Sequence, residues 1–319
     1  MNERLQISVD QRRRTRFALR RFRRISRPAV LVAFLALLVI ARETRWAVIA
    51  PAASPLVTLA AILTTRAFAY INVLGLVVLA IVVWQRRWFC HWMCPTGWCA
   101  DRASALGRRV NRHARPWPAV GLWIAVAVLA GACVGYPFLL CLDPLAMLGA
   151  VVSPLVAPSD RSAWSFLGGM AAMLVVSVLW PNTWCAHLCP LGGLQDAAYR
   201  VRDLVSPRSR GTLRHDAHPV GRPLVLKRRT LFAIAVGAAW GALARTVGGR
   251  CSAPLRPPGS VDAGRFSALC IRCGNCARAC PTHVITHEWC EHGLTALLTP
   301  KVEYRDDYCL CLLYTSPSP

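Results

Sequence analysis

Two pairs of cysteines share one frame in this sequence, Cys-x-x-x-Cys-Pro-x-Gly-x-x-x-Asp, called the Cys-Pro frame below. The first pair is Cys90 and Cys94, and the second, 95 residues further on, is Cys185 and Cys189. Glycine permits a turn and proline ends the helix after the second thiol, so each loop is able to fold around a metal group. Thiolates are the usual ligands of iron–sulfur clusters, and two facing pairs would supply a full shell. The alternative is that these cysteines are buried free thiols, which behave as small hydrophobic side chains.

A third cysteine motif, near the carboxyl end, has the spacing Cys-x-x-Cys-x-x-Cys-x-x-x-Cys-Pro. Its members are Cys270, Cys273, Cys276 and Cys280. A tight loop with this spacing places three thiolates around one [4Fe–4S] cluster, whereas in two-cluster ferredoxins the fourth cysteine binds the other cluster. Cys280 would then need partners from Cys290, Cys309 and Cys311. Zinc is the alternative, but zinc sites usually pair two separated Cys-x-x-Cys knuckles, so the motif predicts a [4Fe–4S] cluster.

The remaining cysteines and the histidines give weaker signals. Cys99 has no counterpart in the second frame, where Leu194 stands, and Cys133 and Cys141 lie near the predicted outer face. Packing or a disulfide is the favoured interpretation of all three. A membrane electron carrier could bind haem between histidines in its spans, but none of the eight histidines lies inside an apolar run, so we predict no haem. No pattern typical of a nucleophile, a phosphate loop or a catalytic carboxylate pair is present.

The composition of the chain is that of an integral membrane protein. Of its 319 residues, 55% are hydrophobic and 17% are charged, and the mean hydropathy is +0.39, whereas soluble proteins carry about 25% charged residues. The formal net charge of +23 is concentrated in clusters beside apolar runs, and ten of the first 27 residues are Arg. Nucleic-acid binding is the rival explanation of such charge, but cytoplasmic loops of membrane proteins collect Arg for topological reasons. We predict no nucleic-acid partner.

Five apolar runs are candidate membrane spans, each needing roughly 20 residues when its flanks are counted. They cover residues 29–41, 67–84, 120–134, 164–180 and 231–244. With the Arg-rich amino terminus inside, both Cys-Pro frames fall on the cytoplasmic side, and outer loops are expected around residues 44–66 and 135–163. The segment Ser-Pro-Leu-Val precedes the second run and the fourth run. This repetition indicates a duplicated two-span unit whose two halves face each other.

The predicted fold class is an all-α integral membrane helical bundle of four to five spans, followed by a small α+β ferredoxin-like iron–sulfur domain. The predicted divisions are a basic cytoplasmic amino terminus (1–28), a membrane domain with both frames (29–200), a basic cytoplasmic linker (201–228), a fifth span or internal twin-arginine-like segment (229–248) and a ferredoxin-type 4Fe–4S domain (249–319). The stretch LKRRTLFAIAVGAAWGALAR resembles a twin-arginine export signal, which places the ferredoxin domain outside the cytoplasm. We expect that the domain is cut short, or continues into foreign sequence, at YCLCLLYTSPSP.

Longer stretches of the sequence resemble two known families. Residues 29–200, with CHWMCP, LLCLDPLAMLGA and CAHLCPLGGLQD, resemble the membrane ferredoxins of the NapH and NosR type. The segment from KRRTLF through RPPGSVDAGRFSALCIRCGNCARACP is similar to the exported ferredoxins of the NapG and MauM type, although only the first of that family's several motifs is intact. The resemblance implies a fusion of two partners that pass electrons from the quinol pool to periplasmic reductases.

The resemblance also implies cluster positions and partners for this chain. Cys90, Cys94, Cys185 and Cys189 take the cluster positions of the membrane family, and Cys270, Cys273, Cys276 and Cys280 take those of the ferredoxin. We therefore expect an electron-transfer subunit, not a catalytic one, with at least one [4Fe–4S] cluster in the ferredoxin domain and one or two in the membrane domain. The expected partners are a membrane quinol or quinol-oxidising donor, a periplasmic redox partner and the lipid bilayer of the bacterial inner membrane. The alternative function is an assembly or maturation factor for a metalloenzyme.

Overall fold

The computed structural model of the protein is mostly helical in the part of the chain that it describes. That part comprises residues 22, 25–40, 49–110, 118–137, 139–156, 164–205, 228–248, 254–257, 259–261, 263–289, 291–293, 295–304 and 308–309. Most of the predicted basic amino terminus and most of the linker 201–228 lie outside these residues, as do Cys251, Cys290 and Cys311. What the sequence predicts for them stays a prediction.

The described residues contain thirteen α-helices and one pair of strands. The helices are α1 (25–40), α2 (Ile49–Ala52), α3 (Pro55–Thr65), α4 (Asn72–Trp84), α5 (Trp88–Trp92), α6 (Pro95–Arg109), α7 (Val120–Val134), α8 (Pro144–Val156), α9 (Trp164–Leu179), α10 (Pro190–Val205), α11 (Arg228–Gly248), α12 (Ala263–Leu269) and α13 (Asn275–Ala279). A 3₁₀ turn covers Leu140–Leu142, and a π-helical turn covers Trp184–Leu188. Strands β1 (Ile285–His287) and β2 (Pro300–Val302) pair antiparallel, with Ile285 opposite Val302.

Helix α7 packs against α3, α10 and α11, and together these helices form the main core. Close approach of their backbones depends on glycine. A Cβ atom at Gly237 of α11 would lie 2.3 Å from the Ala127 carbonyl oxygen of α7, and one at Gly193 of α10 would lie 2.4 Å from Gly121. Only a residue without a side chain fits at such a crossing, because real Cβ contacts are never this short. The fully buried residues of the same core include Leu56, Val128 and Leu191.

The five predicted apolar runs correspond to α1, α4, α7, α9 and α11. The segments 44–66 and 135–163, predicted as outer loops, contain helices α2, α3 and α8. These segments carry few charges, and Leu56 and Leu145 become almost fully buried when they form helices. The two Ser-Pro-Leu-Val copies are not equivalent, since the first begins α3 and the second ends α8. Within the described residues, no helix combines the length and the mean hydropathy that a membrane crossing requires.

The carboxyl-terminal segment is a small unit of two short helices and one strand pair. Arg272 and Gly274 adopt left-handed backbone conformations, with φ of 58° and 70°, and these turns let the chain reverse before α13. Arg256 ties the unit together, because it donates hydrogen bonds to Thr299 Oγ1 at 2.7 Å and to Ser267 Oγ at 2.8 Å. The described part therefore combines a mostly helical body with a small mixed segment at its end.

Gly237→Ala tests the close packing of α11 against α7. We expect a loss of about 1–3 kcal/mol in the free energy of unfolding, because the added methyl group overlaps the Ala127 carbonyl and forces the helices apart. Denaturant unfolding of the purified protein measures the change. The matched control is Gly168→Ala on α9, where a Cβ atom meets nothing within 4 Å and the exchange should stabilise by about 0.5–1 kcal/mol. Equal stability of the two variants would contradict this packing.

Candidate iron–sulfur sites

The two Cys-Pro frames fold into matching local structures. Three residues before the first cysteine of each frame, Arg87 and Asn182 adopt left-handed conformations, with φ of 55° and 64°. A short helical turn follows, α5 in the first frame and Trp184–Leu188 in the second. The proline after each second cysteine is the first residue of the next helix, α6 or α10. The expectation that proline ends a helix there is corrected, since proline at the first helical position lacks only an N–H that has no helical partner.

Cys94 and Cys189 lie at the amino-terminal ends of α6 and α10. The Gly97 amide donates a hydrogen bond to Cys94 Sγ at 3.3 Å, and the Gly192 amide donates to Cys189 Sγ at 3.5 Å. The amino terminus of a helix carries partial positive charge, so both helices favour negative charge on these sulfurs. The second frame also needs its glycine for space, because a Cβ atom at Gly192 would lie 3.0 Å from the Cys185 carbonyl oxygen.

The four frame cysteines form one group, in which Cys94 and Cys189 are buried and Cys90 and Cys185 are half-buried. Cys94 and Cys189 are only 5% and 6% exposed. Burial, followed by the charge of a neighbouring cysteine, raises the pKa of Cys90 and of Cys189 to about 12. Such thiols ionise only where a cation compensates for the buried negative charge. The structure therefore brings together two cysteine pairs that stand 95 residues apart in the sequence.

The surroundings of the frame cysteines fit an iron–sulfur cluster better than a single ion. Within the described residues, no three cysteine sulfurs lie within 4.8 Å of one another, whereas the four thiolates of a cubane bind four different irons and stand further apart. A cavity of about 220 Å³ adjoins Cys90 and Cys185, which is space for a polyatomic group. Two residues of its wall carry buried donors without a hydrogen-bond partner in the described structure, Trp184 Nε1 and Arg27 Nε. Sulfide acceptors would satisfy such donors.

One side chain donates a hydrogen bond directly to this group. Gln195 is fully buried, and its Nε2 lies 3.3 Å from Cys90 Sγ. The equivalent residue of the first frame is Ala100, which packs with Cys185 and offers no donor. Hydrogen bonds to sulfur are one of the factors that set a cluster's potential, so the two halves of the site differ. The sequence analysis missed Gln195, and its place beside the aspartate of the frame was the only available signal.

The aspartate that closes each frame binds arginine from another part of the chain. Asp196 of the second frame accepts hydrogen bonds from Arg86 Nε and Arg87 Nε, both at 3.0 Å, and Asp101 of the first frame pairs with Arg27 of α1. Burial opposes ionisation of Asp196, but the hydrogen bonds and charges of Arg87 and Arg86 outweigh burial and lower the pKa of this carboxyl. The Asp196 pairs tie the second frame to the segment that begins the first, whereas the Asp101 pair ties the first frame to α1. Arg87 also places guanidinium charge beside the Cys90 sulfur.

A buried carboxylate reaches the same group from the segment before α8. Asp143 is completely buried, and it accepts hydrogen bonds from Ser54 Oγ at 2.7 Å and from the Leu145 amide at 3.2 Å. Burial raises the pKa of Asp143 to about 6 despite these hydrogen bonds. The negative charge of Asp143 in turn raises the pKa of Cys94 and Cys189. Asp143 stands in the stretch LLCLDPLAMLGA, but a single aspartate there gives no signal of this role.

The carboxyl-terminal motif, residues 270–280 and called the ferredoxin loop below, is divided between two environments. Burial raises the pKa of Cys276, and the charges of Cys273 and Cys270 raise it further, so these three thiols form one group. Cys280 instead packs with Val284 and Val302, and Cys309 packs against the same cluster. The three grouped thiols fit three corners of a cubane, whereas Cys280 belongs to the small core cluster against which Cys309 packs. That division matches a two-cluster ferredoxin, where the fourth cysteine serves the other cluster.

Another group of potential metal ligands, beside β2, is a salt-bridge network. Glu288, Glu291 and His292 bring three ligand atoms within 4.8 Å of one another. The Lys301 ammonium lies 2.8 Å from a Glu291 oxygen and 3.9 Å from a Glu288 oxygen. Lys301 therefore supplies the positive charge that a metal ion would otherwise provide to these carboxylates.

The three cysteines for which packing or a disulfide was expected are free thiols. Cys133 is exposed, and Cys99 and Cys141 are half-buried. No disulfide involves them in the described structure, so packing is the supported alternative for Cys99 and Cys141, whereas the exposed Cys133 fits neither alternative. None of the three belongs to the group of frame cysteines.

Comparison with known proteins finds iron–sulfur domains in the segments that carry the motifs. The family described as "4Fe-4S binding domain" matches residues 65–112 and 162–209, and a second family with the same description matches residues 266–286. The first two segments contain the Cys-Pro frames, and the third contains the whole ferredoxin loop. The chain therefore carries ferredoxin-type 4Fe–4S binding domains, which confirms the predicted cofactor class.

Several ferredoxin-type and regulatory proteins are similar over part of their length. The ferredoxin-type protein NapH of Escherichia coli is 26% identical over 154 residues, which are 45% of this chain and 50% of that protein. The regulatory protein NosR of Pseudomonas aeruginosa is 30% identical over 128 residues, 35% of this chain and 16% of that protein. The ferredoxin-type protein NapG of Escherichia coli is 40% identical over 55 residues, 17% of this chain and 23% of that protein. The chain thus spans half or less of these relatives, and no solved structure matches it.

Cys94→Ser and Cys189→Ser should each remove the same cluster, because the two thiols belong to one group. Anaerobic analysis of iron and acid-labile sulfide should show equal losses in the two variants and no further loss in the double variant. Cys99→Ser, on α6 but outside the group, is the matched control and should keep the full iron content. Unchanged iron in both single variants, or additive losses in the double variant, would mean that the frames do not share a cluster.

Gln195→Leu should make the potential of the frame cluster more negative, because a donor to sulfur is lost. A hydrogen bond worth ~1 kcal/mol in favour of the reduced state corresponds to a shift of about 40 mV for one electron. An EPR-monitored redox titration measures the potential at constant iron content. Ser177→Ala is the control, since Ser177 lines the same cavity but donates to the Met173 carbonyl. A shift of equal size in both variants would remove Gln195 from this role.

Proposed function

We propose that this protein relays single electrons through [4Fe–4S] clusters and performs no bond chemistry of its own. The observation that carries the proposal is the convergence of the four frame cysteines in one group, in which Cys94 and Cys189 are buried at the amino-terminal ends of α6 and α10. Burial suits a site that exchanges electrons, because no substrate needs to touch the cluster. The matches to 4Fe–4S binding domains and to ferredoxin-type relatives support the same function.

The bound cluster supplies a one-electron redox couple, and the residues of this chain set the conditions for it. The amino-terminal ends of α6 and α10 and the Gln195 amide stabilise negative charge on the sulfurs. The carboxylate of Asp143 opposes negative charge on Cys94 and Cys189. The apolar core around Cys94 and Cys189 excludes water, and a dry, preorganised site exchanges an electron with little rearrangement. The balance between donors, carboxylate and burial determines the potential.

We propose a quinol, or a quinol-oxidising protein, as the electron donor and a periplasmic redox protein as the acceptor. The support is the order of similarities along one chain. The segment with the frames is similar to the ferredoxin-type protein NapH, and the segment with the ferredoxin loop is similar to the ferredoxin-type protein NapG. A fusion of the two would join the entry and exit sites of one relay. Cys280 and Cys309 would begin a second cluster of the ferredoxin segment.

We further propose that the helical body lies in the bacterial inner membrane. The mean hydropathy of +0.39 supports a membrane location. Exposed apolar side chains on the helices also support a membrane location. Between 47% and 70% of the surface is exposed at Val73, Val77, Val175, Phe232 and Trp240. Arg202 stacks over Trp84 and Arg229 stacks over Trp123, at 5.2 and 5.8 Å. Such Arg–Trp pairs are typical of membrane interfaces.

Reduction by quinol tests the relay. A short-chain quinol added anaerobically to the cluster-loaded chain should bleach its visible absorbance, and an oxidant should restore it over repeated cycles. Cys276→Ala should keep the bleaching that arises from the frame cluster, whereas Cys94→Ser should lose it. Transfer of iron or sulfide to an apo-protein, without reversible bleaching, would contradict the relay and favour an assembly or maturation factor.

A further inference from the structure

The ferredoxin loop is docked directly on α8. Arg278, which is 3% exposed, donates a hydrogen bond from Nη1 to the Gly149 carbonyl at 2.7 Å. A Cβ atom at Gly149 would lie 3.6 Å from the Cys273 carbonyl oxygen and 3.7 Å from Cys273 Cβ, so no side chain separates the helix from the cysteine. Leu298 packs on Ala150, the next residue of the helix. Burial of the Arg278 contact distinguishes this docking from a loose surface encounter.

The beginning of α8 lies against the frame cysteines. Thr96, two residues after Cys94, donates a hydrogen bond from Oγ1 to the Pro144 carbonyl at 2.8 Å, and this bond is buried. Asp143 acts electrostatically on Cys94. Ile271 of the ferredoxin loop packs against the core that contains the buried frame cysteines. One short helix therefore contacts both sites, with its first residue at one and its sixth at the other.

From Pro144 to Gly149 the helix advances five residues, which is roughly 7.5 Å at 1.5 Å per residue. We propose that this part of α8 is a permanent bridge between the two sites, across which an electron passes directly from the frame cysteines' cluster to that of the ferredoxin loop. No mobile carrier and no opening of the interface is needed. The bridge rests on the proposed function, because it requires a cluster at each site.

The step is a simple one-electron transfer. One electron leaves the site of Cys90, Cys94, Cys185 and Cys189, which is oxidised, and arrives at the site of Cys270, Cys273 and Cys276, which is reduced. No bond forms or breaks and no proton moves. Arg278 is placed to favour arrival of the electron at the ferredoxin loop, because its guanidinium charge interacts with Cys273 and Cys276. Glycine at position 149 keeps the separation between helix and loop at its minimum.

Gly149→Cys tests the docking in the cluster-free full-length chain. The Cβ separation of 3.7 Å from Cys273 falls within the range of about 3.5–4.5 Å that a disulfide spans. Mild oxidation should therefore link positions 149 and 273, and peptide mapping by mass spectrometry should identify the linked pair. Gly168→Cys, on α9 in open space, is the control and should form no link to Cys273. Absence of the 149–273 link, with the native fold retained, would overturn the docking.

Magnetic coupling tests the bridge in the cluster-loaded chain. The EPR spectrum of the fully reduced protein should differ from the sum of the spectra of Cys94→Ser and Cys276→Ala, because two nearby paramagnetic clusters split each other's signals. Gly149→Leu should push the loop away and weaken the splitting, while Gly149→Ala, whose methyl group fits at 3.6 Å, should keep it. If Gly149→Leu fails to fold, the comparison of the wild type with the two single-site variants still tests whether the two clusters are close enough to couple.

The two possible failures are distinguishable. If both single-site variants show a signal but the wild-type spectrum equals their sum, the bridge is wrong and the relay function survives. If either site holds no iron in the wild-type chain, the proposed function itself fails. Splitting that persists unchanged in Gly149→Leu would mean that the clusters are close by another route, and the assignment to α8 would be withdrawn.

Discussion

The structure depends on holding four thiols, from two segments far apart in the chain, in one place where negative charge is tolerated. Burial alone makes ionisation of these thiols unfavourable, as the raised pKa of Cys90 and Cys189 shows. The compensation is built into the backbone, since each second cysteine stands at the start of a helix and accepts a hydrogen bond from a glycine amide. Glycine contacts between α7 and α10 then bring the second frame into the core, and the pairing of Asp196 with Arg86 and Arg87 ties it to the first frame.

The two frames match in backbone and differ in side chains, and the difference matters for chemistry. Arg87 and Asn182 make the same left-handed turn, and Asp101 and Asp196 both bind arginine. Six residues after the second cysteine of each frame, Ala100 stands in the first frame and Gln195 in the second. The glutamine amide donates to Cys90, and the first frame has no matching donor at position 100. A cluster held by these four cysteines would therefore meet different hydrogen-bond donors on its two sides.

Helix α8 connects features that the sequence presents as separate. Asp143 before its first turn is held by Ser54, from the segment before α3, and Pro144 accepts a hydrogen bond from the first frame. Further along, Gly149 supports the ferredoxin loop through Arg278. A helix that is short, apolar and glycine-containing is able to lie between two metal-binding segments without adding bulk. The ferredoxin segment is consequently packed on the helical body in the described structure, although a linker rich in proline and glycine precedes it.

The sequence alone determined the cofactor class, because thiolate spacing and the neighbouring proline and glycine act locally and are read directly from Cys90 to Pro95 or from Cys270 to Pro281. It also predicted the apolar runs that became α4, α7 and α9. Tertiary structure decided which cysteines meet, since nothing local brings Cys94 to Cys189 or sends Cys280 towards Cys309 and away from Cys276. It likewise decided the roles of Gln195, Asp143 and α8. A lone glutamine or aspartate has no pattern of its own, and its chemistry arises only from the buried sulfur or carbonyl that folding places beside it.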